Sequence, residues 1–463
     1  MRFSVDRTWR RPNAGDVVIA GSPIRAFRLT SAGRQVVDAI ESGNDVPASA
    51  FNLVDRLVDA GAIHPLPDPS LPAPDPRTIT AVIPAFVCDA DSASRLSRLV
   101  AALDGLAVVV VVDDASPAPL PTLAAGTTPV EVIRRATNGG PGAARNSGLE
   151  RTATPRVLFV DADVECRIDE IMALATWLAA SNASAIAPRV RTTGGGSALA
   201  TYENARSPLD MGDRPARVRG GTRVSYVPAA VLLCDTDAVR SIGGFDESMR
   251  TGEDVDLVWR MDAAGLRCRF EPAVEVLHTP RSSLPALVRQ RIGYGESTTT
   301  LRRRHGEKVA PVRASWPTVG SWLALAVGLP LVACVTAAFS GVLLARKLRF
   351  VPGYVVESAR LTAKTHLHVG RNLAAAVTRV WWPIALVIAL FSRRARLALC
   401  AAALVPAAAD WWEKRPRLDP FRFILMRILD DAAYGVGVWK AVIRERDPAA
   451  LAPSIHGPTT QNG

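Results

Sequence analysis

Apolar and polar positions change rhythm several times along the 463-residue chain. Residues 23–29 alternate as a short strand should. Thr30 and Ser31 then offer an N-cap, and Val36, Val37 and Ile40 share one helical face before Gly43. Phe51, Val54, Leu57 and Val58 mark a second helix, stopped at Gly61. Residues 1–65 therefore read as a small independent unit. Residues 66–77 are rich in proline and read as a stiff, extended linker. From residue 78 the pattern becomes short buried runs alternating with amphipathic stretches. Strands are predicted over 78–87, 108–112, 130–134, 157–160, 184–190, 222–233 and 267–270. Helices are predicted over 92–103 and 168–178, and one opens at the glycine-rich stretch 138–142. That alternation is the signature of βαβ units on a parallel sheet. A 78–312 α/β domain follows from it.

From about residue 313 the rhythm is that of apolar helices. Residues 322–344 carry no charge and are long enough to cross a bilayer. Residues 380–391 are apolar but short, and 397–409 are apolar again after Arg393, Arg394 and Arg396. Trp381, Trp382, Trp411 and Trp412 suit an interface between lipid and water. Basic residues flank the first segment on both sides, which a single crossing does not explain, and Pro330 sits inside it. A re-entrant or interfacial hairpin and a buried soluble helix pair remain alternatives. The tail, 448–463, reads as disordered.

Composition changes this picture little. The chain is 48% apolar with a formal charge of +11, which suits a large core with membrane contact and excludes wholesale disorder. Arginine supplies nearly all of the positive charge, without the aromatic interleaving of a nucleic-acid surface, so nucleic acid is not an expected partner. Six scattered cysteines lack metal-ligand spacing and read as free thiols. The first eleven residues lack the apolar core of a signal peptide.

The candidate chemistry starts at Val157-Leu-Phe-Val-Asp161-Ala-Asp163-Val164. Strand alternation would put Asp161 and Asp163 on one side, at the carboxyl end of the strand where ligands of open α/β sheets bind. Two carboxylates there favour Mg²⁺ or Mn²⁺ shared with substrate phosphates. Other pieces fall at strand ends and helix starts in order. They are Val82-Ile-Pro84-Ala85-Phe86, Asp113-Asp114-Ala-Ser116, Asn138-Gly-Gly-Pro-Gly-Ala-Ala-Arg145-Asn146-Ser-Gly148, Gly243-Gly-Phe-Asp-Glu247 and Gly252-Glu253-Asp254-Val-Asp256-Leu-Val-Trp-Arg260. The ordered set resembles glycosyltransferase family 2, the inverting GT-A enzymes that use nucleotide-sugar donors.

The resemblance implies a Rossmann-like nucleotide-sugar-binding domain and a role for each piece. Pro84, Phe86, Asp114, Arg145 and Asp161 would hold the nucleotide, with Phe86 stacking on the base and Asp114 accepting from a uracil imide. Asp163 would bind the metal directly, and His278 would be a third metal or diphosphate ligand. Asp254 would be the catalytic base, crowded by Glu253 and Asp256, and Asp256 would pair with Arg260 at i,i+4. Gln290-Arg291-Ile-Gly-Tyr294 resembles a membrane-proximal segment whose arginine meets the diphosphate. The small N-terminal unit is similar to winged-helix-like peptide-recognition domains. The domain order as a whole is similar to that of the glycosyltransferases of mycofactocin biosynthesis. That similarity implies UDP-glucose as donor, a β-1,4-linked oligoglucoside as product and the peptide-derived redox cofactor premycofactocin as acceptor. It also implies a place at the cell membrane with the catalytic domain facing the cytoplasm. An acceptor that is a polyprenyl phosphate or a cell-wall glycan fits the apolar tail as well. A non-catalytic peptide-binding module would not need Asp163 and Asp254. A nucleotidyltransferase would show a basic glycine-rich loop where Phe86-Val-Cys-Asp stands.

Overall fold

The computed structural model describes residues 1–117, 120, 122–193, 195–281 and 283–457. They fall into two compact units, one of residues 1–194 and 206–280, the other of 195–205 and 281–463.

The first unit begins with β1 (Arg2–Val5), β2 (Val17–Ala20), β3 (Arg25–Arg28), α1 (Ser31–Glu41), α2 (Phe51–Asp59) and β4 (Ile63–Leu66). Thr30 caps α1 by accepting from the Gly33 N–H, as its position predicts. The pairs β2–β3 and β1–β4 are antiparallel. Val18, Phe27, Val37, Ile40, Leu57 and Ile63 close a small core between them and the helices. Strand β4 recruits Leu66, which the sequence pattern leaves to the linker.

This small domain is not held away on its proline-rich connection. Asp55 and Asp59 of α2 pair with Arg267 and Arg219 at 2.5–3.1 Å. Asp6 accepts from Arg223 at 3.1 Å. His64, 2% exposed, sits between Asp6 (3.1 Å) and Arg269 (3.2 Å). Arginine can only donate, so His64 Nδ1 accepts and Nε2–H donates to Asp6. Burial, and then the Arg269 charge, hold the imidazole below its usual pKa against the pull of Asp6. The extended proline stretch lets the chain cross from one domain to the other, and the ion pairs decide where the first one sits.

The α/β domain follows with β5 (Ile79–Ala85), α3 (Ala90–Ala102), β6 (Val108–Asp113), β7 (Val130–Arg134), α4 (Pro141–Arg151), β8 (Arg156–Val160), β9 (Val164–Glu165), α5 (Ile168–Ala180), β10 (Ala185–Thr192), then, after α6 (Ala198–Arg206), which belongs to the second unit as far as residue 205, β11 (Ala216–Val218), β12 (Val231–Asp235), α7 (Thr236–Ser241), α8 (Glu253–Ala263) and β13 (Cys268–His278). Among the described residues the sheet runs β11-β13-β10-β12-β8-β5-β6-β7, with β9 on β13. Its β8-β5-β6-β7 half is parallel, as βαβ logic requires. The other half is mixed, which corrects the expectation of a parallel sheet. Strand β12 lies antiparallel to both β8 and β10. Strands β11 and β12 both run against β10, and residues 219–230 join them through turns without a helix. The strand expected over 222–233 is accordingly only its last part. Gly148 of α4 lies against the central strand, where a Cβ would stand 2.3 Å from Val82.

The second unit contains residues 195–205 and the C-terminal elements α9 (Leu284–His305), β14 (Arg313–Ser315), α10 (Trp316–Ala326), α11 (Pro330–Lys347), α12 (Tyr354–Arg379), α13 (Trp382–Phe391), α14 (Arg393–Lys414), α15 (Pro420–Glu445) and β15 (Ser454–His456). Helices α9 and α15 cross closely, since a Cβ on Gly295 would fall 2.1 Å from the Tyr434 carbonyl. The apolar run 322–344 is not one helix. Gly328 takes φ +80° and Pro330 opens α11, so the run folds back at residues 327–329. The Ser321–Thr336 hydroxyl pair (2.8 Å) and the Trp316–Phe339 rings (6.4 Å) lie symmetrically about Gly328, which makes α10–α11 an antiparallel hairpin. By length and composition α11 alone qualifies as a spanning helix, and α12–α13 qualifies as a pair bent by 87°. The C-terminal stretch expected to be disordered is ordered as far as residue 457, because β15 pairs in parallel with β14. Residues 458–463 lie outside the described residues.

The His64 lock has a pH consequence. In the unfolded chain His64 takes a proton near pH 6.5, and in the folded chain only at lower pH. Its contribution to stability is therefore present above about pH 6.5 and is lost as pH falls below it. His64→Gln can keep both hydrogen bonds without titrating. It is expected to melt close to wild type at pH 7.5 and to lack the His64-linked fall between pH 6.5 and 5, read by calorimetry of the two proteins.

Candidate active site

The site is built where β5, β6 and β8 end and α4 and α8 begin. Strand β8 stops at Val160, and Asp161 and Asp163 sit in the turn between β8 and β9. The turn is closed by the Val164 N–H donating to the Asp161 carbonyl. Strand alternation therefore does not set the carboxylates, as the sequence pattern suggested. The turn sends them to different partners. Asp161 accepts from Arg145 at 2.6 Å, and Asp163 lies 3.1 Å from His278 Nε2. His278 arrives there by register, because it faces Val164 across the β9–β13 ladder. The Thr279 N–H donates to the Asp163 carbonyl and closes the same corner.

Arg145 is 3% exposed and joins two elements. Its second guanidinium nitrogen donates to Glu253 at 2.8 Å, and its plane lies over Phe245, 5.2 Å from the ring centre. Phe245 in turn meets Phe159 edge-on at 5.0 Å. The Gly243-Gly-Phe-Asp-Glu247 segment thus carries a wedge under Arg145. Asn146 staples that segment to α4, accepting from the Phe245 N–H and donating to its carbonyl and to Glu247. Gly244, at φ +68°, leaves room for Asn146, which a Cβ would approach to 2.6 Å.

Asp254 lies in the first turn of α8, whose N-cap Gly252 is left-handed. Its carboxylate accepts from the Val255 N–H, and the Ala229 N–H also holds it. Burial raises its pKa, with the Asp161 charge adding to the rise against Arg145 and the two N–H groups. Glu253 is pushed up to about 7, first by burial and then by the Asp254 charge, against the pull of Arg145. Asp256 is fully buried and pairs with Arg260 at 2.7 Å, as its spacing predicts. Arg260 also reaches the carbonyls of Ile242 and Gly244, so this pair ties α8 to the glycine turn.

The nucleotide-side candidates are placed less uniformly. Phe86 stands half-exposed just past β5, and Pro84 is partly buried beside it. Asp114 is buried and not an open acceptor. Its oxygens take the Gly139 and Gly140 N–H groups at 2.9 and 2.7 Å, and Arg135 pairs with it at 2.9 Å. The glycine loop therefore turns these N–H groups inward, and Gly140 is required there by its φ of +89°. Asn138 donates to the Asp114 carbonyl and receives Arg250. Arg291, expected near a diphosphate, is 3% exposed and held by Asp430 at 2.7 Å within the helical unit.

Sequence reasoning missed the bridging role of Arg145, the Asn146 staple and the Arg135 and Arg250 supports of the glycine loop. The Arg145-Asn146 pair inside the helix-opening motif was a usable signal for the first two. Arg135 and Arg250 had none.

A divalent metal fits the donor set in part. Among the described residues no group of three or more His, Cys, Asp or Glu side chains converges on one point. Asp163 and His278 form a two-donor corner, and a metal held there would complete its shell from donor phosphates and water.

The family model for Glycosyl transferase family 2 matches residues 80–234. Two pre-mycofactocin glycosyltransferases of Mycobacterium tuberculosis strains are each 36% identical to the chain, with 97% of both chains covered. Among solved structures, the mannosyltransferase PcManGT of Pyrobaculum calidifontis in complex with GDP-Man and Mn²⁺ is similar. It is 16% identical, covers 66% of this chain and 89% of its own, and has a TM-score of 0.38. S. aureus TarS 1-349 in complex with UDP-GlcNAc is 14% identical over 63% of this chain and 91% of its own, with a TM-score of 0.36.

Removing the Arg145 charge should leave Asp161, Glu253 and Asp254 uncompensated. Arg145→Met is expected to cost about 3–5 kcal/mol of unfolding free energy near pH 8. The loss should shrink toward pH 5, because the carboxyl pKa values rise further in the folded state and protonation then favours folding. Urea denaturation of wild type and variant at both pH values measures this.

Proposed function

The chain belongs to glycosyl transferase family 2, and from that premise we propose an inverting, metal-dependent hexosyltransferase of mycofactocin biosynthesis. The observation that carries the reading is the convergence at one end of the sheet. Asp163 and His278 meet there, and Arg145 links Asp161 to the helix start that bears Asp254. A Mg²⁺ or Mn²⁺ ion bound by Asp163 and His278 would neutralise the departing nucleoside diphosphate.

The remaining work falls to the chain's own residues. Phe86 and Pro84 receive the base, which we assign as uracil. Asp114 acts from behind, holding the 139–140 loop in shape. Arg145 keeps Asp161 oriented toward the ribose side. Asp254 takes the proton of the acceptor hydroxyl as that oxygen attacks the anomeric carbon opposite the leaving group, so the configuration inverts. Its raised pKa, set by burial and then the Asp161 charge, makes it a stronger base than a solvated aspartate.

Glucose in β-1,4 linkage is the proposed sugar, UDP-glucose the donor and premycofactocin the acceptor. The relatives named pre-mycofactocin glycosyltransferase, matched along nearly their whole length, support the acceptor. The N-terminal domain is proposed to recognise that acceptor or a pathway partner. Strand β3 pairs only with β2 among the described residues, and so keeps one edge for an extended segment. The helical unit is proposed to keep the enzyme at the cytoplasmic face of the cell membrane.

Mass spectrometry of products from a panel of nucleotide sugars and acceptors tests the reading. Hexosylated premycofactocin is expected. Glycosylated polyprenyl phosphate alone would replace it with the lipid-acceptor reading. Asp163→Ala is expected to abolish the Mn²⁺-dependent part of UDP-glucose binding, measured by calorimetry with and without metal. Asp254→Asn should keep donor binding and lose ~10²–10⁴ in kcat. More than about a tenth of wild-type turnover in that variant would remove Asp254 from the role.

A further inference from the structure

The helical unit exposes many large apolar side chains, and several of the most exposed gather at one joint. The α10–α11 hairpin turns at residues 327–329, and Arg394, at the start of α14, donates to the Val327 carbonyl at 2.8 Å. The same guanidinium lies against Gly328, where a Cβ would stand 3.4 Å from it. The turn of one hairpin is thereby joined to the α13–α14 corner. Arg396 caps that corner by donating to the Ala389 and Leu390 carbonyls. Around the joint, Phe391 is 85% exposed, Leu331 76% and Leu390 73%, with Val327 and Leu329 exposed beside them. Arg393, Arg394 and Arg396 are exposed at the same tip.

Charge says what such a tip faces. Residues 316–414 contain eleven Lys and Arg against three acids, and residues 382–409 contain no acid. An apolar wedge ringed by arginine matches acyl chains below and anionic headgroups around them. Depth argues against a crossing by the first hairpin. At about 1.5 Å per residue an eleven-residue α10 reaches about 16 Å, roughly half of a ~30 Å hydrocarbon core. The ten-residue α13 reaches no further, and it meets α12 at an 87° bend.

Resting on the membrane reading above, we infer that the joined tip of α10–α11 and α13–α14 inserts into one leaflet of an anionic phospholipid bilayer and that no segment crosses it. Arg393 meets lipid phosphates, while Arg394 and Arg396 are spent on holding the tip together. Basic residues on both sides of the apolar run are then expected, because both sides stay on one face of the membrane.

Flotation of the full-length protein with vesicles tests the surface. Binding is expected to vesicles of phosphatidylcholine with phosphatidylglycerol, to weaken with salt, and to be at least tenfold poorer with phosphatidylcholine alone. A Leu331→Asp, Leu390→Asp, Phe391→Asp triple variant should keep its melting temperature and lose binding at least tenfold. Topology is read separately, with Phe350→Cys and Phe421→Cys in a background where the exposed Cys88, Cys334 and Cys400 are serine. In intact cells neither site should react with an impermeant maleimide, and both should react after lysis. No binding to either vesicle type would overturn the membrane reading and the tip with it. Binding together with labelling of either cysteine from outside would keep the membrane reading and overturn one-leaflet insertion. Undiminished binding by the folded triple variant would also overturn the tip. So would a dimer that dissociates in that variant while no vesicle is bound, since the tip would then be a self-association face.

Discussion

One buried guanidinium organises the α/β domain. Arg145 reaches Asp161 on one side and Glu253 on the other, so the turn after β8 and the start of α8 take their relative positions from it. A planar fork with fixed donors can hold two carboxylates at once, which a lysine point charge cannot. Phe245 supports it from below, and Asn146 holds the segment that carries Phe245. The acids of the site are close enough to raise one another's pKa, and Arg145 is the cation that lets them stay together without solvent.

The same device recurs elsewhere in the first unit. Arg267, Arg269, Arg219 and Arg223 meet Asp55, Asp59, Asp6 and His64 across the seam with the N-terminal domain. Several of these groups are buried, so removing one side would strand charge on the other. The small domain is therefore part of the folding unit as well as a candidate recognition module. Strand β13 carries Arg269 near its start and His278 at its end, so the docked domain and the Asp163–His278 corner share one strand.

The helical unit has its own ionic spine. Asp430 receives Arg291 and Tyr202, while its neighbour Asp431 faces Arg379, Arg427 and Thr378. Two adjacent residues on α15 thus tie residues 195–205, α9 and α12 to it. These ion pairs sit beside small buried apolar clusters, while many large apolar side chains of the unit are left exposed. That exposure is the physical ground on which a lipid-facing role is proposed.

Much of this was written locally in the chain. Strand runs such as 108–112 and 130–134, the Thr30 cap and the Asp256–Arg260 pair follow from periodicity and spacing over a few residues, and the structure has them. The ordered motifs were enough to indicate the family, because each lies at a strand end or helix start. Tertiary structure decided what depends on partners far apart in sequence. Asp114 looked like an open acceptor and is closed by glycines 25 and 26 residues on. Arg291 looked like a diphosphate ligand and is claimed by Asp430, 139 residues away. The direction of β12, the order of residues 448–457 and the docking of the first domain likewise rest on long-range pairing. Local propensity sets which element forms. Which groups remain free for chemistry depends on where distant carboxylates and guanidinium groups come to rest.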